Sequence, residues 1–220
     1  MHETVKNLIN IQKSIKSKLI DLKQNTRIPK IIAVSKTFKI DHIMPLINYG
    51  HSDFGENKVQ EAIDKWSEIK SENKEIKIHL IGKLQTNKVK LAVKFFDFIH
   101  SLDSEKLAKK ISEEQNKQKL KPKIFIQINI GNEKQKSGIN KENLQEFYNY
   151  CKSLDLDIMG IMCLPPFDED PEKYFIEMKN LNENFKFREL SMGMSSDFLN
   201  AIEYNSSYLR IGSSIFGQRS

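Results

Sequence analysis

Lys36 stands directly after the apolar run KIIAVS at positions 30–35. An amine at the end of such a run is partly desolvated, which favours its neutral form, and the neutral amine condenses with aldehydes. The ordinary alternative is that Lys36, one of 31 lysines, is simply a solvated charge. Two late segments have the composition of anion-holding loops. Residues 191–198 read SMGMSSDF, where Gly193 permits close backbone approach and Ser195 or Ser196 is placed to cap a helix. Residues 210–217 read RIGSSIFG, where Gly212, Ser213 and Ser214 offer amide and hydroxyl donors. Singly, each has the look of a tight loop or helix cap; as a pair, they point to a bound anion. Arg210, one of four arginines, lies between Leu209 and Ile211 and needs a partner, either a structural salt bridge or a ligand. Asn57, in DFGENK, caps the following helix or faces a ligand. His79 alternates with Ile78 and Leu80 and is expected to be a packed, neutral ring, since no second histidine has metal-ligand spacing. Cys151 and Cys163 have no metal or disulfide spacing and are expected to be buried thiols.

The elements around these residues alternate. Strand-like runs fall at 30–35, 51–55, 76–82, 97–102, 123–130, 157–163, 187–192 and 208–213. Helical patterns fit between them at 40–49, 57–72, 85–95, 104–119, 140–153, 170–183 and 196–205. A further amphipathic helix spans 4–23. Short apolar strands with helical crossovers imply a parallel sheet buried on both faces. Eight such units predict an α/β fold of one domain over residues 1–220: a single closed (β/α)8 TIM-type barrel with an extra N-terminal helix and no second domain. An open doubly wound sheet is the alternative. No helix is expected after strand eight, and the helix at 4–23 is expected to cover that gap. In such a barrel the active face is the C-terminal rim, with phosphate held after strands seven and eight. The two serine–glycine loops fall at those positions, and Lys36 opens onto the same rim.

The bulk numbers restrict the partners. The 220 residues carry a formal charge of +6, spread as lysines over most of the predicted helices, without the interleaved aromatics of a base-stacking surface. Nucleic acid is not an expected partner. No apolar stretch is long enough to span a membrane, and the first residues do not read as a signal peptide. A cytoplasmic monomer that binds a small molecule is expected.

Seven segments in order along the chain carry a family resemblance: AVSKTF (33–38), FGENKVQE (54–61), HLIGKLQTNK (79–88), SLDSEKLA (101–108), QINIGNEKQKSG (127–138), LSMGMSSDFLNAI (190–202) and RIGSSIFGQR (210–219). Together they resemble the pyridoxal phosphate homeostasis proteins, a barrel family similar to the N-terminal domain of bacterial alanine racemases. The resemblance implies pyridoxal 5'-phosphate as cofactor, held as a Schiff base on Lys36. It implies phosphate contacts around Met194, Ser195, Gly212 and Ser213, with Arg210 facing the pyridine nitrogen and Asn57 lining the site. It associates Lys136, in QKSG, with movement of the cofactor. This chain departs from the family in having Ile78 where an aromatic residue is frequent, Phe38 where lysine is frequent, and Ser213 where threonine is frequent.

The expected activity is that of a carrier in vitamin B6 homeostasis, with pyridoxal-phosphate-dependent apoenzymes as potential recipients. Arginine does not give up a proton to the pyridine nitrogen, because its pKa is above about 12, which weakens the ring as an electron sink. Racemisation also needs an acid or base on each face of the α-carbon, which the related racemases draw in part from a second domain. The alternative is a weakly active amino-acid racemase or a related pyridoxal-phosphate enzyme.

Overall fold

The computed structural model describes residues 1–23 and 27–218. Eight strands form the barrel: β1 Lys30–Val34, β2 Asp53–Glu56, β3 Lys77–Leu80, β4 Phe98–Leu102, β5 Lys123–Ile128, β6 Asp157–Cys163, β7 Glu189–Ser191 and β8 Tyr208–Ile211. Each pairs in parallel with the next, and β8 returns to β1 through Ile32↔Arg210 and Ala33↔Ile211. The expected closed barrel is present, and the open sheet is not. The helices are α1 Glu3–Asp21, α2 Ile40–Asn48, α3 Val59–Glu72, α4 Val89–Phe95, α5 Glu105–Gln118, α6 Leu144–Ser153, α7 Glu172–Phe185, α8 Phe198–Glu203 and α9 Ser213–Phe216.

Alternation along the strands sorts the side chains into two cores. In β1, Ile31 and Ala33 join the layer between sheet and helices, while Ile32 joins a second cluster with Phe98, Phe125, Met159, Met162 and Tyr208. That second cluster draws on β1, β4, β5, β6 and β8, and so fills the lumen. The same alternation turns His79 inward between Ile78 and Leu80, and Arg210 inward between Leu209 and Ile211. Pairs of β-branched or leucine residues thus bracket both of these polar groups.

Two expectations about the barrel's closure need correction. Strand eight is followed by a one-turn helix, α9, because Gly212 O accepts from the amides of Ile215 and Phe216. The N-terminal helix does cover this region, and it packs against α2, α8 and α9. Asn7 Nδ2 donates to Ile215 O at 3.0 Å, and Lys18 pairs with Glu203 at 2.5 Å. The β2 strand starts two residues later than its sequence pattern suggests, with His51 Nε2 lying 2.9 Å from Asp53 O in the preceding turn.

Candidate functional site

A cavity of about 660 Å³ opens at the C-terminal rim of the barrel, a size suited to a small ligand. Lys36, Asn57, Met194, Ser195, Arg210, Gly212 and Ser213 all line it. So do Ser196 and Ser214, with Phe38, Ile81 and Leu164 as apolar wall and the exposed Phe167 at the rim. Among the described residues, the lining contains an amine, a guanidinium, hydroxyls and an amide but no carboxylate.

Lys36 lies two residues beyond the end of β1, so the strand places it without including it. Its neighbour Ser35 is buried and tightly held. Ser35 N donates to Gly55 O at 3.0 Å, and Ser35 Oγ donates to Glu56 Oε1 at 2.7 Å. Lys65 donates from α3 to both Ser35 O and Glu56 Oε1 at 3.0 Å, and Trp66 Nε1 donates to the same carboxylate oxygen at 3.0 Å. On the other side, Thr37 N donates to Glu61 Oε1 at 3.1 Å, and Thr37 takes a left-handed φ of 71°. Lys36 is therefore fixed at both flanks by α3. Glu56 and Lys65 escaped the sequence reading because their bonds to Ser35 reach back 21 and 30 residues, and Trp66 because it joins them only through Glu56, 10 residues away; only the acidic residue inside an apolar strand signals them.

Arg210 is buried, and burial pushes its pKa down, opposed by Cys163 and Asp197. Its guanidinium donates to Ser191 Oγ and to Cys163 O, each at 2.7 Å. Among the described residues it forms no salt bridge, so the structural ion pair considered for it is not its role. Its acceptors are neutral, and the residue also borders the cavity.

The two loops meet. Ser195 Oγ accepts from the amides of Gly212 and Ser214 at 3.1 and 3.3 Å, so it joins the loops and does not cap α8. The residue before α8 is Asp197, whose Oδ1 accepts from Met194 N at 2.5 Å. Burial raises the Asp197 pKa, with the Met194 amide and Arg210 pulling it back. Gly193 has φ +89°, and a Cβ there would come within 2.7 Å of the Ala201 side chain, which explains the glycine in SMGMS.

Asn57 likewise lines the cavity and does not cap α3, whose first turn receives no side-chain cap. A Cβ on Gly82 would sit 2.3 Å from Asn57 O, so the loops after β2 and β3 touch through their backbones. Phe38 stacks on Phe216 of α9 with ring centroids 4.9 Å apart, which accounts for an aromatic residue at that position. Ile78 is buried without trace of exposure. Lys136 lines an adjoining cavity of about 320 Å³ that shares Asn57, Ile81 and Leu164 with the first. Its Nζ pairs with Glu133 at 2.5 Å and donates to Pro165 O at 3.1 Å. Both cysteines are buried, and burial pushes each thiol up to about 12. Arg219, at the end of the RIGSSIFGQR segment, lies outside the described residues.

The barrel and its rim define the class: the family model for the alanine racemase N-terminal domain matches residues 12–220. The pyridoxal phosphate homeostasis protein of Aquifex aeolicus is 37% identical over 200 residues, covering 86% of this chain and 87% of that one. That of Pasteurella multocida is 35% identical over 224 residues, covering 97% and 96%. The structure of PipY from Synechococcus elongatus with pyridoxal phosphate bound matches with a TM-score of 0.78 at 31% identity, covering 92% of this chain and 100% of that one. The chain belongs to the pyridoxal phosphate homeostasis protein family, within the alanine racemase N-terminal-domain fold.

Proposed function

We propose that this protein binds pyridoxal 5'-phosphate at the C-terminal rim, with Lys36 as the covalent attachment point, and serves to hold and release it. The observation that carries the reading is the convergence of Lys36, Arg210 and the two joined serine loops on one cavity. Those residues fit the group: hydroxyls of Ser195, Ser213 and Ser214 suit a phosphate, and an amine suits an aldehyde. PipY, 31% identical, has a solved structure that contains pyridoxal phosphate.

The chemistry the bound cofactor would supply is that of an aldehyde on an electron-poor ring. The protein's own groups divide the remaining work. Lys36, fixed by its two flanks, presents the amine that holds the aldehyde carbon. Arg210 donates toward the ring nitrogen and keeps its own proton, because guanidinium does not deprotonate in the physiological range. That arrangement withholds the ring protonation that carbanion chemistry needs, and so favours a carrier over an amino-acid racemase. Asn57 and Phe38 form the side walls. The reading includes a cytoplasmic monomer whose recipients are pyridoxal-phosphate-dependent apoenzymes; among the described residues, no helix is long and apolar enough to cross a membrane.

Titration of the apoprotein with the cofactor tests the reading. The wild type should develop a visible absorption band distinct from that of the free aldehyde, and Lys36→Ala should lack it. A wild-type protein without that band in excess cofactor would refute the proposal.

A further inference from the structure

Ser191, on which Arg210 rests, is one link in a line of hydrogen bonds through the barrel lumen. Ser191 Oγ lies 3.0 Å from His100 Nδ1, His100 Nε2 lies 3.0 Å from His79 Nδ1, and His79 Nε2 lies 3.0 Å from Asp53 Oδ1. Ser191, His100 and His79 have no solvent exposure. The Asp53 side chain is 14% exposed at the start of β2, on the N-terminal rim. The line thus begins beneath the cofactor cavity and ends at the opposite face of the barrel.

The chemistry of the two ends, with His79 neutral, fixes the direction of every bond between them. A guanidinium only donates, so Ser191 Oγ accepts from Arg210 and has its own proton to give. A carboxylate only accepts, so His79 carries its proton on Nε2. A neutral His79 then has a bare Nδ1, which requires Nε2–H on His100. The bare Nδ1 of His100 in turn accepts from the Ser191 hydroxyl. With His79 neutral, one arrangement satisfies all four contacts: both rings protonated on Nε2, and every dipole aligned from Arg210 to Asp53. Charging His79 would reverse His100 and leave the Ser191 proton without an acceptor in the line.

The surroundings favour the neutral rings. His79 stacks on Phe98 (centroids 4.2 Å apart, planes at 6°), and His100 stacks on Phe125 (4.3 Å, 13°). Burial lowers the His79 pKa against the upward pull of Asp53 and Asp97, with Lys30 adding to the lowering. Burial, His79 and Arg210 all push His100 down. For Asp53, burial pushes upward, but the bond and charge of His79, with Lys30 and Ser52, outweigh it and lower the pKa.

We propose that Ser191, His100, His79 and Asp53 form a polarised positioning relay that holds the Arg210 guanidinium aimed at the cavity, with Asp53 as a second and more remote counter-charge beside Asp197. Among the described residues no acid pairs with Arg210 directly, and the aligned dipoles present their negative ends to it. The effect on the cofactor rests on the proposed place of Arg210 at the ring nitrogen, whereas the ring tautomers stand without it.

The test uses apoprotein labelled with ¹⁵N-histidine, where long-range proton–nitrogen correlations report the tautomer and charge of each ring. Both His79 and His100 should be neutral and protonated on Nε2 at neutral pH. Asp53→Asn, whose amide presents either a donor or an acceptor, should introduce the Nδ1–H form at His100, which does not touch residue 53. The same variant and Ser191→Ala should weaken cofactor binding roughly fivefold or more, the lower end of coupling between linked sites, and shift the pH profile of the visible band; Asp53→Glu should restore part of the loss. A charged or Nδ1-protonated His100 in the wild type, or unmoved His100 resonances in Asp53→Asn, would overturn the relay. Unchanged binding and band in both Asp53→Asn and Ser191→Ala would overturn its action on Arg210 even with the Lys36 reading intact. A cofactor that still binds covalently to Lys36→Ala would instead refute the site while leaving the tautomers in place.

Discussion

Replacing Glu56 by alanine removes the one acceptor on which Ser35, Lys65 and Trp66 converge. The pair with Lys65 is nearly dry, with side-chain exposures of 0% for Glu56 and 11% for Lys65. Removing one member of a buried pair costs about 3–5 kcal/mol, because the other charge is left unpaired. Two features pull this case to the low end. The slight exposure of Lys65 lets its ammonium reach water, and Glu56 Oε2 already lacks a hydrogen-bond partner, so its burial is a cost that the substitution relieves. We expect a loss of about 3 kcal/mol for Glu56→Ala, which at about 2–4 °C per kcal/mol lowers Tm by roughly 6–12 °C. Glu56→Gln keeps an oxygen for Ser35 and Trp66 and should lose about 1–2 kcal/mol. Because Lys65 also holds Ser35 O, next to Lys36, both variants should take up cofactor more weakly than their stability loss alone explains. Urea unfolding and cofactor titration measure the two effects. An alanine variant within about 1 kcal/mol of wild type would refute the view that this buried pair anchors the strand end.

Other outcomes follow from the same structure. His79 and His100 have folded pKa values below the ordinary imidazole value of about 6.5, so the unfolded chain takes up protons before the folded one. Their contribution is therefore intact above about pH 6.5 and declines as pH falls below it; the urea midpoint should drop between about pH 6.5 and 5, and a flat midpoint over that range would contradict the assignment. Gly82→Ala places a Cβ 2.3 Å from Asn57 O, with backbone on both sides of the clash. It should destabilise by about 1–3 kcal/mol and lower cofactor affinity by displacing Asn57, as unfolding and titration would show. Ser195→Ala removes the shared acceptor of the Gly212 and Ser214 amides and should raise the cofactor Kd by roughly tenfold, about 1.4 kcal/mol. Incubation of the loaded protein with L-alanine in deuterated water should leave the α-hydrogen in place on a turnover timescale; rapid deuterium incorporation would favour the racemase reading.

Much of this architecture could be read before any coordinates. Runs such as KIIAV and YLRI announce buried strands through their composition, and their alternation already turns Arg210 to one face and its neighbours to the other. Lys36 and the two serine–glycine loops were legible because barrel topology puts strand ends of distant sequence on one rim. The details that escaped are those settled between segments. Ser195 reads as a helix cap locally, but the amides of Gly212 and Ser214, 17 and 19 residues on, claim its oxygen. His79 reads as a lone packed histidine, and only the pairing of β3 with β4 sets His100 beside it. The one-turn helix α9 is too short to show a hydrophobic period, and its packing against α1 depends on contacts from the far end of the chain.

The central claim concerns which amine holds the cofactor. Borohydride reduction of the loaded protein, followed by proteolysis and mass spectrometry, fixes that bond and locates it. The account predicts the reduced cofactor on the peptide containing Lys36 and on no other in stoichiometric amount. Stoichiometric label on Lys136 or on a surface lysine, with Lys36 unmodified, would contradict it.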